Sequence, residues 1–144
     1  MDALDLTKAP PRPPREPLAG LDLIMAARTV DKLRASLPGG NLGAYQLPGF
    51  STQMLEAIGV GEDDLRSAVA RASSDAEIAA WLRERVPAEK IAAFNAAIVQ
   101  RCVKHRLEDE AWRKKYAHAV SLPPETPLID MLSKDDELAF LGAR

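Results

Sequence analysis

Five prolines within eight positions, Pro10, Pro11, Pro13, Pro14 and Pro17, forbid regular structure near the start of this chain. Each lacks a backbone donor and fixes φ, so neither a helix nor a central strand can pass through them. Residues Thr7 to Pro17 therefore read as an extended arm, with Leu4, Leu6 and Leu18 as its hydrophobic anchors. A loose tail and a polyproline segment offered to a partner are the two other readings of this stretch. Glycine supplies the second constraint. Six of the eight glycines fall between Gly39 and Gly61, which makes that region rich in turns.

Elsewhere the apolar spacing is helical. The first long helix is expected from about Leu21 to Leu37, stopped by Pro38 and Gly39. Ser51 is a plausible N-cap for Thr52 to Ile58, ended by Gly59. A third helix should start near Glu62 and bury Leu65, Val69 and Ala72. Ser74 and Glu77 then have the spacing of a capping box ahead of Ile78, Trp81 and Leu82. Pro87 precedes a segment from Ala88 to about Lys104, with Ile91, Phe94, Ile98 and Cys102 along one face. Glu108 to Ala119 continues helical as far as Pro123-Pro124. Ser133 should cap Lys134 to Leu141, with Gly142 as the stop.

Sustained alternation, hairpin dipeptides and a βαβ rhythm are all missing, although a short extended piece around Tyr45 to Leu47 is compatible with the pattern. Only 5% of residues are aromatic, so the core must come from Leu, Ile, Val and Ala. A length of 144 residues suits one domain burying roughly two-thirds of its unfolded surface. The expectation is all-α: a single compact domain of about six helices. Residues 1–20 form the arm, packed on or near a helical domain at 21–144.

A formal charge of −2 gives no bulk attraction to nucleic acid or anionic membrane. The lone cysteine, Cys102, cannot form an internal disulfide and suits a reducing compartment. No apolar run approaches the ~20 residues of a bilayer span. Asp2, Asp5 and the prolines replace the basic and apolar regions of a signal peptide, so a cytoplasmic location is expected.

The strongest candidate site lies where the first helix meets the glycines. At 100° per residue Arg34 falls about 20° from Leu23 and about 40° from Val30, which should point it inward. A guanidinium cannot shed its proton, so a buried one must be met by a partner. Asp31, one turn earlier, could meet it as a structural pair, or Arg34 could reach out past the helix end. The functional alternative draws in Arg15, Glu16, Asn41 and Tyr45 to complete a polar cleft. Arg28 and Lys32 fall on another face and are expected to be solvated. The glycine turn follows a helix, so it faces the carbonyl end and lacks the geometry of a phosphate loop.

Other constellations carry less. Cys102-x-x-His105 would place two ligands on one helix face, but only His118 remains to complete a metal shell, so no metal or cofactor is expected. A Cys102–His105 nucleophile would lie on a packed face. Trp112-Arg113-Lys114-Lys115-Tyr116 is basic and aromatic, yet Glu108, Asp109 and Glu110 offset it, so a solvated face is the better reading. Asp63-Asp64 and Asp135-Asp136 sit where helix starts explain them.

Three stretches together resemble a bacterial family numbered 5069 among domains of unknown function. They are Pro11-Arg12-Pro13-Pro14-Arg15-Glu16-x-Leu18-x-Gly20, Arg28-x-x-Asp31-Lys32-x-Arg34-Ala35 and Gly40-x-x-Gly43-x-Tyr45. The resemblance runs over most of the chain and is sharpest in residues 11 to 45. Ala19, where a second glycine is expected, and Leu33, where alanine is expected, depart from it. It implies a small bacterial cytosolic protein and transfers no activity.

The functional expectation is a non-enzymatic module binding an anionic small molecule or a partner's carboxylate. Arg34 would make the main contact, Arg15, Asn41 and Tyr45 would help, and Asp31 would orient Arg34. One alternative is an enzyme using Tyr45 or Glu16 for proton transfer in the same cleft. The other is a weak nucleic-acid binder through Lys104 to Tyr116.

Overall fold

The computed structural model describes residues 1–141. Among them the chain forms seven α-helices: α1 Ala26–Ala35, α2 Phe50–Ile58, α3 Glu62–Arg71, α4 Asp75–Arg85, α5 Ala88–Ile98, α6 Glu110–Lys115 and α7 Met131–Leu141. Three short 3-10 turns, Val103–His105, Ala117–Ser121 and Leu128–Asp130, complete the helical structure. The described residues contain no strand, and extended pairing is confined to isolated bridges such as Asp5 with Asn41. The all-α expectation holds. Gly142, expected to stop the last helix, lies outside the described residues.

Contacts within the chain gather it into two compact units, Met1–Phe94 and Asn95–Arg144, with the division falling inside α5. In the first unit α1 packs against α2 and α3, and α3 also against α4. Val30 and Leu33 of α1 are fully enclosed, as are Met54, Val69, Ile78 and Leu82 from the helices after it. Leu65, Val69 and Ala72 are buried as their spacing predicts.

The arm is part of this unit rather than an appendage. Leu6, Pro11, Pro14 and Leu18 are buried. Its backbone is stitched to the rest by Leu6 N–H to the Asn41 carbonyl at 2.8 Å, Asn41 N–H to Leu4 at 2.9 Å and Met25 N–H to Pro14 at 2.7 Å. The Met1 ammonium donates to the carbonyls of Val69, Ala70 and Ala72, where α3 ends. These carbonyls have no partner within the helix, and a cation there also meets the negative end of its dipole.

α1 is shorter than its apolar spacing suggests. Leu21 and Leu18 pair through two backbone hydrogen bonds, and Met25 takes a left-handed φ of 76° immediately before the helix. Gly40 then brings the turn against the end of α1. A Cβ at that position would lie 2.8 Å from the Ala35 carbonyl carbon and 2.9 Å from the Arg34 carbonyl oxygen. α2 starts at Phe50 without a side-chain cap, because Ser51 is buried and accepts instead from Thr29 Oγ1 at 2.8 Å. The Ser74 cap forms as expected, with Glu77 N–H donating to Ser74 Oγ at 3.3 Å. Glu77 reaches back one residue further than a capping box requires, to Ser73.

In the second unit Val103, Ala119 and Ile129 are fully enclosed. α5 ends at Ile98, six residues before the expected Lys104, and Cys102 is extended and bridged to Pro127. Backbone bonds from Val103 to Thr126 and from Leu128 to Arg101 take up the polar groups that a longer helix would have satisfied internally. The Ala117–Ser121 turn packs against α6, and His118 Nε2 in that turn lies 3.2 Å from Asp135 Oδ1 on α7.

Candidate functional site

Nine of the ten residues of α1 are buried, and the exception is Arg34. This reverses the sequence expectation. Helical periodicity assumes one face in water, but the arm and the glycine-rich segment cover the face it assigned to solvent. Arg34 lies in the last turn and reaches past the helix end, where its Nε donates to the Asp2 carbonyl at 2.8 Å. Arg28 and Lys32, expected to be solvated, are 2% and 8% exposed.

Asp31 is 5% exposed and is met by Arg12 of the arm. Arg12 Nη2 donates to Asp31 Oδ1 at 2.9 Å, and its backbone N–H donates to Asp31 Oδ2 at 2.8 Å. The other side of the guanidinium donates to Asp75, at the start of α4, with Nη1 2.7 Å from Oδ2. Glu16 stands 3.9 Å from Arg12 Nε. Desolvation disfavours the Arg12 cation, but the hydrogen bonds it donates to Asp75 and Asp31 more than offset it and raise its pKa above the ordinary value. One arm residue thus bolts α1 to α4. Two carboxylates shared by one fixed cation make a positioning device.

The two buried cations of α1 tie down the segments on either side. Arg28 Nη1 donates to the Arg12 carbonyl at 3.4 Å, and its guanidinium carbon lies 5.7 Å from the centre of the Tyr45 ring. Lys32 Nζ donates to the Gln46 carbonyl at 3.0 Å. Beside them the Thr29–Ser51 hydroxyl pair is closed to solvent.

Five of the six residues singled out from sequence separate into two places. Asp31, Glu16 and Tyr45 gather around Arg12 and Arg28. Arg34 and Asn41 instead hold the start of the chain, Asn41 through its backbone to Leu4 and Leu6, with its side chain accepting from Gly43 N–H at 2.9 Å. Arg15 is exposed. Asp31 orients Arg12 and not Arg34, because i,i+3 proximity on the helix counts for less than a guanidinium laid over the carboxylate from outside. Arg12, Arg28 and Lys32 were missed. For Arg12 a signal existed: Pro11 and Pro14 share one face of a three-residue polyproline turn, and Arg12 stands between them.

Cys102 and His105 do not share a helix face. Cys102 N–H donates to His105 Nδ1 at 3.2 Å across a 3-10 turn, and Cys102 Sγ points to the Gln100 carbonyl. Among the described residues no three His, Cys, Asp or Glu side chains gather as a metal site. Three cations of the basic stretch are paired: Arg106 with Asp109 and Lys114 with Glu110 within a helical turn, and Lys104 with Glu125 further along the chain. Arg106 lies over the Trp112 ring, whose centre is 5.3 Å from that of Tyr116 with the two rings tilted by 44°. No helix among the described residues is long and apolar enough to cross a membrane.

The chain belongs to the family described as domain of unknown function DUF5069, whose model matches residues 8–137. No curated protein matches it. The match spans most of the arm, all of α1 and every residue of the Arg12 bridge.

Proposed function

We propose that this DUF5069 chain is a non-enzymatic binding module that receives an anionic group over Arg28 and Lys32 of α1. The group is the carboxylate or phosphate of a small molecule or of a protein partner. The observation that carries the reading is the burial of two cations one helical turn apart, 2% and 8% exposed, with the Tyr45 ring against Arg28. An anion gains more from a cation already stripped of water than from one in bulk solvent. Arg28 offers a fork suited to two oxygens, and Lys32 a point charge beside it. Of the residues expected from sequence, Tyr45 keeps its role, and the cationic role passes from Arg34 to Arg28 and Lys32. A bacterial, cytoplasmic setting completes the proposal, and the lone cysteine suits it.

Calorimetric titration with inorganic phosphate and with citrate tests the reading, alongside thermal unfolding. One equivalent should bind, and a probe at a hundred times its dissociation constant should stabilise the fold by about 2.7 kcal/mol. Lys32→Met should abolish binding, and Arg28→Lys should weaken it while keeping the charge. Neither heat nor stabilisation from either probe at millimolar concentration would overturn the proposal.

A further inference from the structure

The second unit carries a surface that the α1 site does not use. Lys104 to Tyr116 brings five cations against three acids in a chain of net charge −2. As composition, the acids offset much of that excess, but the structure spends two of them elsewhere. Asp109 caps α6 by accepting from Trp112 N–H at 3.0 Å, and it pairs with Arg106. Glu110 closes on Lys114. Arg113 and Lys115 are exposed, and the ion pairs of this stretch among the described residues include neither.

No residue of α6 is buried. A six-residue helix is too short to hold itself, and this one depends on the Asp109 cap and on the Ala117–Ser121 turn beside it. At 100° per residue Tyr116 falls about 40° from Trp112, with Lys115 about 60° to one side and Arg113 about 100° to the other. Lys114 and Glu110 each fall about 160° away, so their pair is turned to the opposite side. The two half-buried rings thus form a row flanked by two cations outside any printed pair of this helix. Their centres are 5.3 Å apart. Arg106 lies 5.6 Å from the centre of the Trp112 ring, and Lys115 Nζ lies 5.3 Å from that of Tyr116.

We infer that the Trp112–Tyr116 face of α6 binds single-stranded nucleic acid, stacking bases on the two rings and meeting phosphates with Arg113 and Lys115. A strand offers a π-face and a phosphate at every nucleotide, which matches rings interleaved with cations. An acidic peptide would engage the cations and leave the rings idle. A duplex keeps its bases stacked on one another, out of reach of the rings. α6 is about 9 Å long, room for roughly three nucleotides at about 3.4 Å each, so binding is weak and tolerant of sequence. The inference draws on the second unit alone, and loss of the α1 site would leave it standing.

Fluorescence anisotropy of a labelled oligothymidylate of about twelve nucleotides, titrated with the full chain, tests this face. Affinity should fall as salt rises. Trp112→Ala should weaken binding about tenfold. Lys115→Gln should make the logarithmic salt slope shallower by about 0.7, the share of one phosphate on a single strand. Neither change removes a buried side chain, and thermal unfolding of both variants should match the parent. The strand should bind more tightly than the same strand annealed to its complement. Binding that keeps its strength in Trp112→Ala, or its slope in Lys115→Gln, would overturn the inference. Equal affinity for strand and duplex would overturn it as well, as would no change in anisotropy at low salt. Polyglutamate that displaces the strand as well as unlabelled oligothymidylate does would also overturn it, and would give the face to an acidic protein instead.

Discussion

In α1 the charged residues Arg28, Asp31 and Lys32 lie beneath other parts of the chain, and each is tied to a segment remote in sequence. In α6 the charged residues Glu110, Arg113, Lys114 and Lys115 face solvent, and the Glu110–Lys114 pair closes within the helix itself. The two helices draw on the same residue types, so the difference lies in what covers them. Where a helix is roofed over, its charges have already lost water and become fasteners for the roof. Where it is open, water competes for every charge, and the pairs do little beyond local trimming.

The comparison breaks most directly at Asp31. Asp31→Ala should cost about 3 kcal/mol in denaturant unfolding, because it leaves Arg12 desolvated with half of its bridge gone. A loss as small as that of a surface pair would end the distinction between the helices. Gly40→Ala should cost about 2 kcal/mol in the same assay, since the new methyl group meets backbone at the end of α1 and not a side chain that can move aside. The counterpart on the open helix, Lys114→Ala, should cost less than about 0.5 kcal/mol and shrink further in salt.

The finest test is acid titration. The Asp109 carboxyl, which caps α6, lies below its ordinary pKa chiefly because it accepts from Trp112 N–H. A carboxyl lowered in the folded state contributes stability that is complete above its unfolded pKa. That contribution is lost as pH falls through the folded value. Asp109→Asn should therefore make the acid limb of the stability curve slightly shallower below about pH 4. A steeper limb would mean that the cap acts in some other way.

Much of the fold was legible. Pro and Gly marked the breaks, the acidic first turn marked the start of α3 and the Ser74 cap that of α4, because those signals act on neighbouring backbone and need no knowledge of the rest. The boundaries of α1 and α5 were not, since Leu21 pairs with nearby Leu18 and Cys102 with distant Pro127, and these bridges outcompete a further helical turn. The candidate site was legible only in part. Asp31 and Tyr45 do lie beside Arg12 and Arg28, but Arg34 was placed inward and Arg28 and Lys32 outward. Periodicity reports how a helix would lie with one side in water, and α1 has none. What covers it is irregular chain, whose path leaves no periodic trace.

The Arg12 bridge also bears on how the molecule assembles. Arg12 and Asp75 stand 63 positions apart, so their tie forms only after most of the first unit has been drawn together. Helical proteins made of neighbouring contacts fold fast, and a linchpin spanning so much chain slows that search. Here the arm, earliest in the chain, waits for α4 before its guanidinium finds a second carboxylate.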